Sequence, residues 1–173
     1  MESEMRVFRH AVVAMSAVMA TTSLAGATLA AAAPAHYRFV NSSTQKCLDV
    51  FDESRADGAV VQQYECKSGK HQVFGRTDSS SGMSFFSANA PDKCLDLKDG
   101  ALYNGGAVQI WSCTGAPNQT WFFNSVADGK VQIQNAHSGK CLTDAGIPDG
   151  KRRTVLQDTC KNQSSQFWQV KAA

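Results

Sequence analysis

No Cys-x-x-Cys pair occurs in these 173 residues, and no histidine accompanies the cysteines at a fixed spacing. A structural zinc site draws its ligands at such intervals, so that reading has little to stand on. Gly-x-Ser-x-Gly and His-Glu-x-x-His are also missing, and Ser138-Gly139-Lys140 only superficially suggests a phosphate loop. The commonest hydrolase, metalloprotease and nucleotide-binding signatures are therefore absent. There is no basic run: 17 Lys and Arg against 15 Asp and Glu give a formal net charge of +2. Nothing in that balance marks a nucleic-acid surface. No segment keeps a 3.6-residue apolar period with caps, which predicts almost no helix beyond single turns.

The one long apolar run lies near the N-terminus. Arg6, Arg9 and His10 precede an uncharged, Ala-rich stretch from Ala11 to about Ala33, and Ala33-Pro34-Ala35 offers an A-x-A-like cleavage site. Residues 1–35 are thus expected to be a secretory signal peptide. Glu2 and Glu4 are unusual in a positive leading region, and initiation at Met5 would remove them. The run is long enough to span a bilayer, but its Ala, Ser and Thr content and the cleavage pattern favour a leader over an anchor. The mature chain then begins near His36, as one domain over 36–173 that forms the whole secreted, extracellular protein with no membrane span. Losing Arg6, Arg9, Glu2 and Glu4 takes two charges of each sign and leaves +2.

What the rest contains is a period. Lys46-Cys47-Leu48, Lys93-Cys94-Leu95 and Lys140-Cys141-Leu142 recur every 47 residues, as do Gln72-Val73-Phe74, Gln119-Thr120-Trp121 and Gln166-Phe167-Trp168. A fixed period of this length is the signature of a repeat architecture. The copies run over approximately 37–83, 84–130 and 131–173. Six cysteines allow fifteen pairings. The repeat singles out Cys47 with Cys66, Cys94 with Cys113 and Cys141 with Cys160, each pair nineteen positions apart. A bridge closing such a loop contributes on the order of 3 kcal/mol in the chain-entropy model.

Each copy opens on a strand-like run: Tyr37 to Val40, Ser84 to Ser87, Val131 to Gln134. Phe39, Phe86 and Ile133 stand at one repeat position and are expected to face one core. A second strand follows at Lys-Cys-Leu, then a turn rich in Gly and Asp. An alternating run such as Val108-Gln109-Ile110-Trp111 makes the third strand, and the Gln-x-aromatic region leads the fourth. Twelve short strands in three copies suit an all-β closed barrel, in which closure removes exposed edges. Phe74, Trp121 and Trp168 are expected to meet near its pseudo-threefold axis.

Three copies, each ending in Gln-x-aromatic with two cysteines in register, resemble the ricin-type β-trefoil lectin family, which also appears as carbohydrate-binding modules. The resemblance covers nearly all of the mature chain. It implies a β-trefoil of three four-stranded repeats with one disulfide per repeat, carbohydrate as the partner, no cofactor or metal, and no catalysis.

Family resemblance also implies where a sugar would sit. Such a pocket needs a carboxylate for hydroxyls, an aromatic face for the apolar side of the ring, and amides that fix orientation. The second repeat has every part: Asp96, Gln109, Trp111, Asn118 and Gln119. The first has Asp49, Gln62, Tyr64 and Gln72, with His71 at the Asn position. In the third, Thr143 replaces the carboxylate, with Asp144 one residue out of phase, Leu156 replaces Gln, Asp158 replaces the aromatic and Ser165 replaces Asn. That copy is read as structural. Asp49 with Asp52, or Asp96 with Asp99, could be taken for catalytic pairs. A ligand Asp beside a turn Asp is the simpler reading. His36 and His137 have no repeat partners and read as ordinary surface residues. Asn41, Asn118 and Asn162 lie in glycosylation sequons.

The expectation is a monomeric secreted lectin for galactose-type sugars or xylan-like polysaccharides, of plant or microbial origin, that binds no nucleic acid. Two alternatives are a toxin-accessory or inhibitor trefoil that grips a protein partner, and a detached targeting module for a separate glycoside hydrolase.

Overall fold

The computed structural model describes residues 36–148 and 153–173. The expected signal peptide, residues 1–35, lies outside the described residues, as does the Asp149-Gly150 turn. Strand formation follows the pattern of β-branched and aromatic residues between turn-forming clusters. The strands are β1 His36–Asn41, β2 Cys47–Val50, β3 Ala59–Tyr64, β4 Phe74–Ser79, β5 Gly82–Ser87, β6 Ala90–Leu97, β7 Val108–Ser112, β8 Trp121–Ser125, β9 Val131–Asn135, β10 Cys141–Pro148, β11 Arg153–Asp158 and β12 Trp168–Ala172. All helix among the described residues is short 3-10 turn. None is long and apolar enough to cross a membrane.

Six strands close a barrel by antiparallel pairing: β1 with β4, β4 with β5, β5 with β8, β8 with β9, β9 with β12, and β12 back to β1. The other six form three hairpins, β2–β3, β6–β7 and β10–β11. These hairpins join in turn through β3–β7, β11–β3 and a bridge between Ala107 and Leu156. The architecture is a β-trefoil.

Its core is one cluster to which every repeat contributes. Phe74, Trp121 and Trp168 are fully buried. The two indoles donate their Nε1–H to the carbonyls of Leu95 and Leu142 at 3.0 and 3.1 Å, so a large apolar body is buried with its polar group satisfied. Three disulfides form within the repeats, Cys47–Cys66, Cys94–Cys113 and Cys141–Cys160, as the period predicts.

One core position differs from expectation. Phe85, not Phe86, joins Phe39 and Ile133 in the core, with its ring 5.1 Å from Phe39 and stacked at 5.3 Å on Phe123. The cause is a connection one residue longer. Val40 pairs with Cys47 and Gln134 with Cys141, but Phe86 pairs with Cys94, and the register shifts beside it. A one-residue change reverses which face a side chain takes. Phe86 instead lies across Gly75, where a Cβ would collide with its ring.

Candidate functional site

The hairpins bring the predicted residues of each repeat together through one shared register. Asp49 stands opposite Gln62, Asp96 opposite Gln109 and Thr143 opposite Leu156. Two residues earlier on the first strand of each hairpin, Cys47 faces Tyr64, Cys94 faces Trp111 and Cys141 faces Asp158. Alternation then sets the faces. Leu48 and Val50, or Leu95 and Leu97, are buried on the apolar side, while the intervening Asp points the other way.

In the second repeat the Asp96 carboxylate is only 3% exposed, and three amides hold it. Gln109 Nε2 donates to Oδ1 at 2.9 Å, and Asn118 Nδ2 and Gln119 Nε2 donate to Oδ2 at 2.8 and 3.0 Å. Burial pushes the Asp96 carboxyl above its ordinary 3.8, while these hydrogen bonds pull back toward the charged form. Trp111 stands beside it, 43% exposed. The cavity they line measures about 480 Å³. A fixed acceptor, an amide pair and an open indole face can together receive a polyhydroxylated ring with an apolar side.

The wall beyond Trp111 comes from the first repeat. Gly58, at φ +83°, packs its backbone near the indole and donates to the Ile110 carbonyl at 2.9 Å. Asp57 anchors that turn by accepting from Ser112 N at 2.6 Å and pairing with Lys93 at 3.2 Å. Burial would raise the Asp57 carboxyl, but Ser112 and Lys93 outweigh it and hold it below 3.8.

Gln72 and Gln119 also have a structural role behind the contacting one that the resemblance suggests; Gln119 lines the second cavity, while Gln72 is not among the residues lining the first. They are 0% and 1% exposed, and their amides are fully engaged. Gln119 accepts from Thr114 N at 2.8 Å and donates to Asp96 and to the Ser112 carbonyl; Gln72 does the same with Lys67 N, Asp49 and the Glu65 carbonyl. Gln166 repeats the arrangement in the third copy. These glutamines close the disulfide loop and hold the Asp49 or Asp96 carboxylate, or the Thr143 hydroxyl, in place.

The first repeat assembles a smaller cavity, about 200 Å³. Gln62 and Gln72 donate to Asp49 at 2.7 and 2.8 Å. His71 Nε2 lies 3.4 Å from the same carboxylate, and Nδ1 lies 3.5 Å from Glu53. Gly69 makes room for this ring, since a Cβ there would overlap it. No cation among the described residues stands over Trp111, whereas the Tyr64 ring has one above it, Lys67 Nζ at 4.9 Å from the centroid. The second repeat carries Thr114 at that position.

In the third repeat, Thr143 Oγ1 accepts from Gln166 and donates to the Cys141 carbonyl, so it fills the carboxylate's place. Asp144 takes the core-facing position of Val50 and Leu97, and is neutralised there by Arg153, with Nε and Nη2 donating at 2.8 and 2.7 Å. Leu156 and Asp158 line a third cavity, to which no aromatic side chain among the described residues contributes. Ser165 gives its carbonyl to the Asn41 amide. Asn41 itself is fully buried, which closes that sequon to modification. His137, read from sequence as an ordinary surface residue, lines the second cavity from the third repeat. No sequence period signals it, because the contact crosses between copies.

Fold and site together define a carbohydrate-binding protein of the trefoil type. The family model of the ricin-type beta-trefoil lectin domain matches residues 35–168. The chain belongs to that family, and its role is carbohydrate binding. Similar solved structures include the designed 3-fold symmetric protein ThreeFoil, at 26% identity and TM-score 0.76, covering 80% of this chain and 99% of that one. The exo-beta-1,3-galactanase 1,3Gal43A from Clostridium thermocellum is similar at 25% identity and TM-score 0.75, over 80% of this chain but 30% of that enzyme. The Rhizoctonia solani agglutinin, at 17% identity and TM-score 0.69 over 82% of this chain and 96% of its own, shares the fold. No curated protein matches the chain.

Proposed function

We propose that this chain is a secreted, non-catalytic, monomeric lectin that binds galactose-type sugars or xylan-like polysaccharides through its second and first repeats. The observation that carries the reading is the buried Asp96 carboxylate, held by three amides beside a half-open indole. Holding an ionised acceptor out of solvent is costly unless amides satisfy it. A fold has little reason to pair that arrangement with an uncovered Trp unless a ligand uses both. Likeness to part of an enzyme that acts on β-1,3-galactan supports the galactose side. The N-terminal pattern Arg6 to Ala35 supports export.

The first site is the weaker of the two, because Lys67 occupies the Tyr64 face and His71 stands where Asn118 stands. Both sites on one rigid body can share a polymer, which raises avidity by up to ~100-fold when the geometry permits. A glycan array comparing wild type with Trp111→Ala tests the reading. Galactosides or xylan should be retained by wild type and held much more weakly by the variant, which keeps only the weaker first site. A wild type that binds no glycan, or a variant that binds like wild type, would overturn it.

A further inference from the structure

The second cavity is larger than its five predicted residues require. At about 480 Å³ it exceeds the first site's 200 Å³, although both are built on the same register. The extra room extends over Gly100 to His137, which the third repeat contributes. Gly100 sits at φ +59°, and a Cβ there would stand 3.4 Å from His137 Nε2, so the missing side chain keeps the passage open.

His137 is held relative to the site through the backbone. Asn135 Oδ1 accepts from His137 N at 3.0 Å and Ser138 N at 3.3 Å, while Asn135 Nδ2 donates to the Asn118 carbonyl at 2.9 Å. Ala136 N adds a bond to the Thr120 carbonyl at 2.8 Å. The loop bearing the imidazole is thereby tied to the segment that bears Asn118. The ring itself is exposed, and among the described residues its nitrogens have no hydrogen-bond partner. The corresponding residue beside the first site, Asn89, differs. Its amide donates to the Glu53 carbonyl at 2.6 Å and accepts from Arg55 at 3.3 Å, and it does not line that cavity.

From this placement we infer that the second site takes two consecutive sugar residues of a glycan. The first ring lies on Trp111 against Asp96, and the second lies over Gly100 with a hydroxyl hydrogen-bonded to His137. This rests on the sugar-binding reading above and goes further, because the specificity becomes one for a disaccharide unit. His137 is then the specificity-determining residue, and it belongs to a different repeat from the rest of the site.

Titration calorimetry in a Tyr64→Ala background, which silences the first site, tests this with galactose against β-1,3-galactobiose and xylose against xylobiose. The disaccharide of the binding pair should bind about threefold to tenfold tighter than its monosaccharide, the range one hydrogen bond supplies. His137→Ala should remove that advantage and leave the monosaccharide unchanged, while His137→Gln, which keeps a donor and an acceptor, should retain part of it. His137→Ala leaving the advantage intact, or weakening both sugars in step, would overturn the inference alone. If no sugar of either pair binds, and the array with wild type is also blank, the sugar-binding reading falls as well.

Discussion

Replacing Asp96 with asparagine separates what the carboxylate does for the fold from what it does for a ligand. The side chain is 3% exposed and accepts from Gln109 on Oδ1 and from Asn118 and Gln119 on Oδ2. An asparagine can set its carbonyl oxygen where Oδ2 stands and keep both of those donors. Its NH2 then stands where Oδ1 stood, and Gln109 turns its amide over so that Oε1 accepts. Every buried group remains satisfied, so the stability change should stay within about 1 kcal/mol. The ligand loses a charged acceptor, worth about 1.5–3 kcal/mol per hydrogen bond, or roughly tenfold to hundredfold in affinity. Calorimetry in the Tyr64→Ala background, paired with thermal melts, reads both quantities. Asp96→Ala serves as the contrast, since it leaves three donors facing a void and should cost about 2–4 kcal/mol of stability. Asp96→Asn that melts like wild type and also binds like wild type would refute the role given to the carboxylate.

Second-site affinity should fall on acidification at a pH above 3.8, because burial raises the Asp96 carboxyl and the ligand uses its charged form. The same shift has the opposite sign for folding: a raised carboxyl favours the native state most below 3.8, and that contribution is lost as pH rises through the raised value. Affinity and melting temperature measured across pH should therefore move in opposite directions in this window, and Asp96→Asn should flatten both. Converting the first site with His71→Asn and Lys67→Thr should raise its affinity at least severalfold in an Asp96→Asn background, and an unchanged affinity would show that neither residue limits it. Arg153→Ala should cost about 2–3 kcal/mol by leaving Asp144 buried without its partner, and should leave sugar binding untouched in calorimetry. Purified protein should show no turnover of any glycan it binds; turnover abolished by Asp96→Asn would make it an enzyme.

The threefold organisation, the strand content and the cysteine pairing were all legible in the sequence, because each repeats at one spacing. A period survives wherever equivalent residues meet equivalent surroundings. Lys-Cys-Leu and Gln-x-aromatic recur because each copy needs a leucine in the core, a bridge at its rim and a glutamine behind the hairpin. The pairing of Asp96 with Gln109 followed from the same logic, since alternation along two strands in fixed register puts both on the face away from Leu95 and Ile110. The tertiary structure decided what depends on how one copy meets the next, or on a local departure from symmetry. Phe85 took the core place because the second repeat's connection is one residue longer. Lys67 covered Tyr64 because a flexible cation rests on the nearest electron-rich ring, a contact no spacing encodes. His137 reached the second site because hydrogen bonds from Asn135 bind its loop to the neighbouring copy, and a partner chosen across a pseudo-symmetry axis leaves no mark in the linear period.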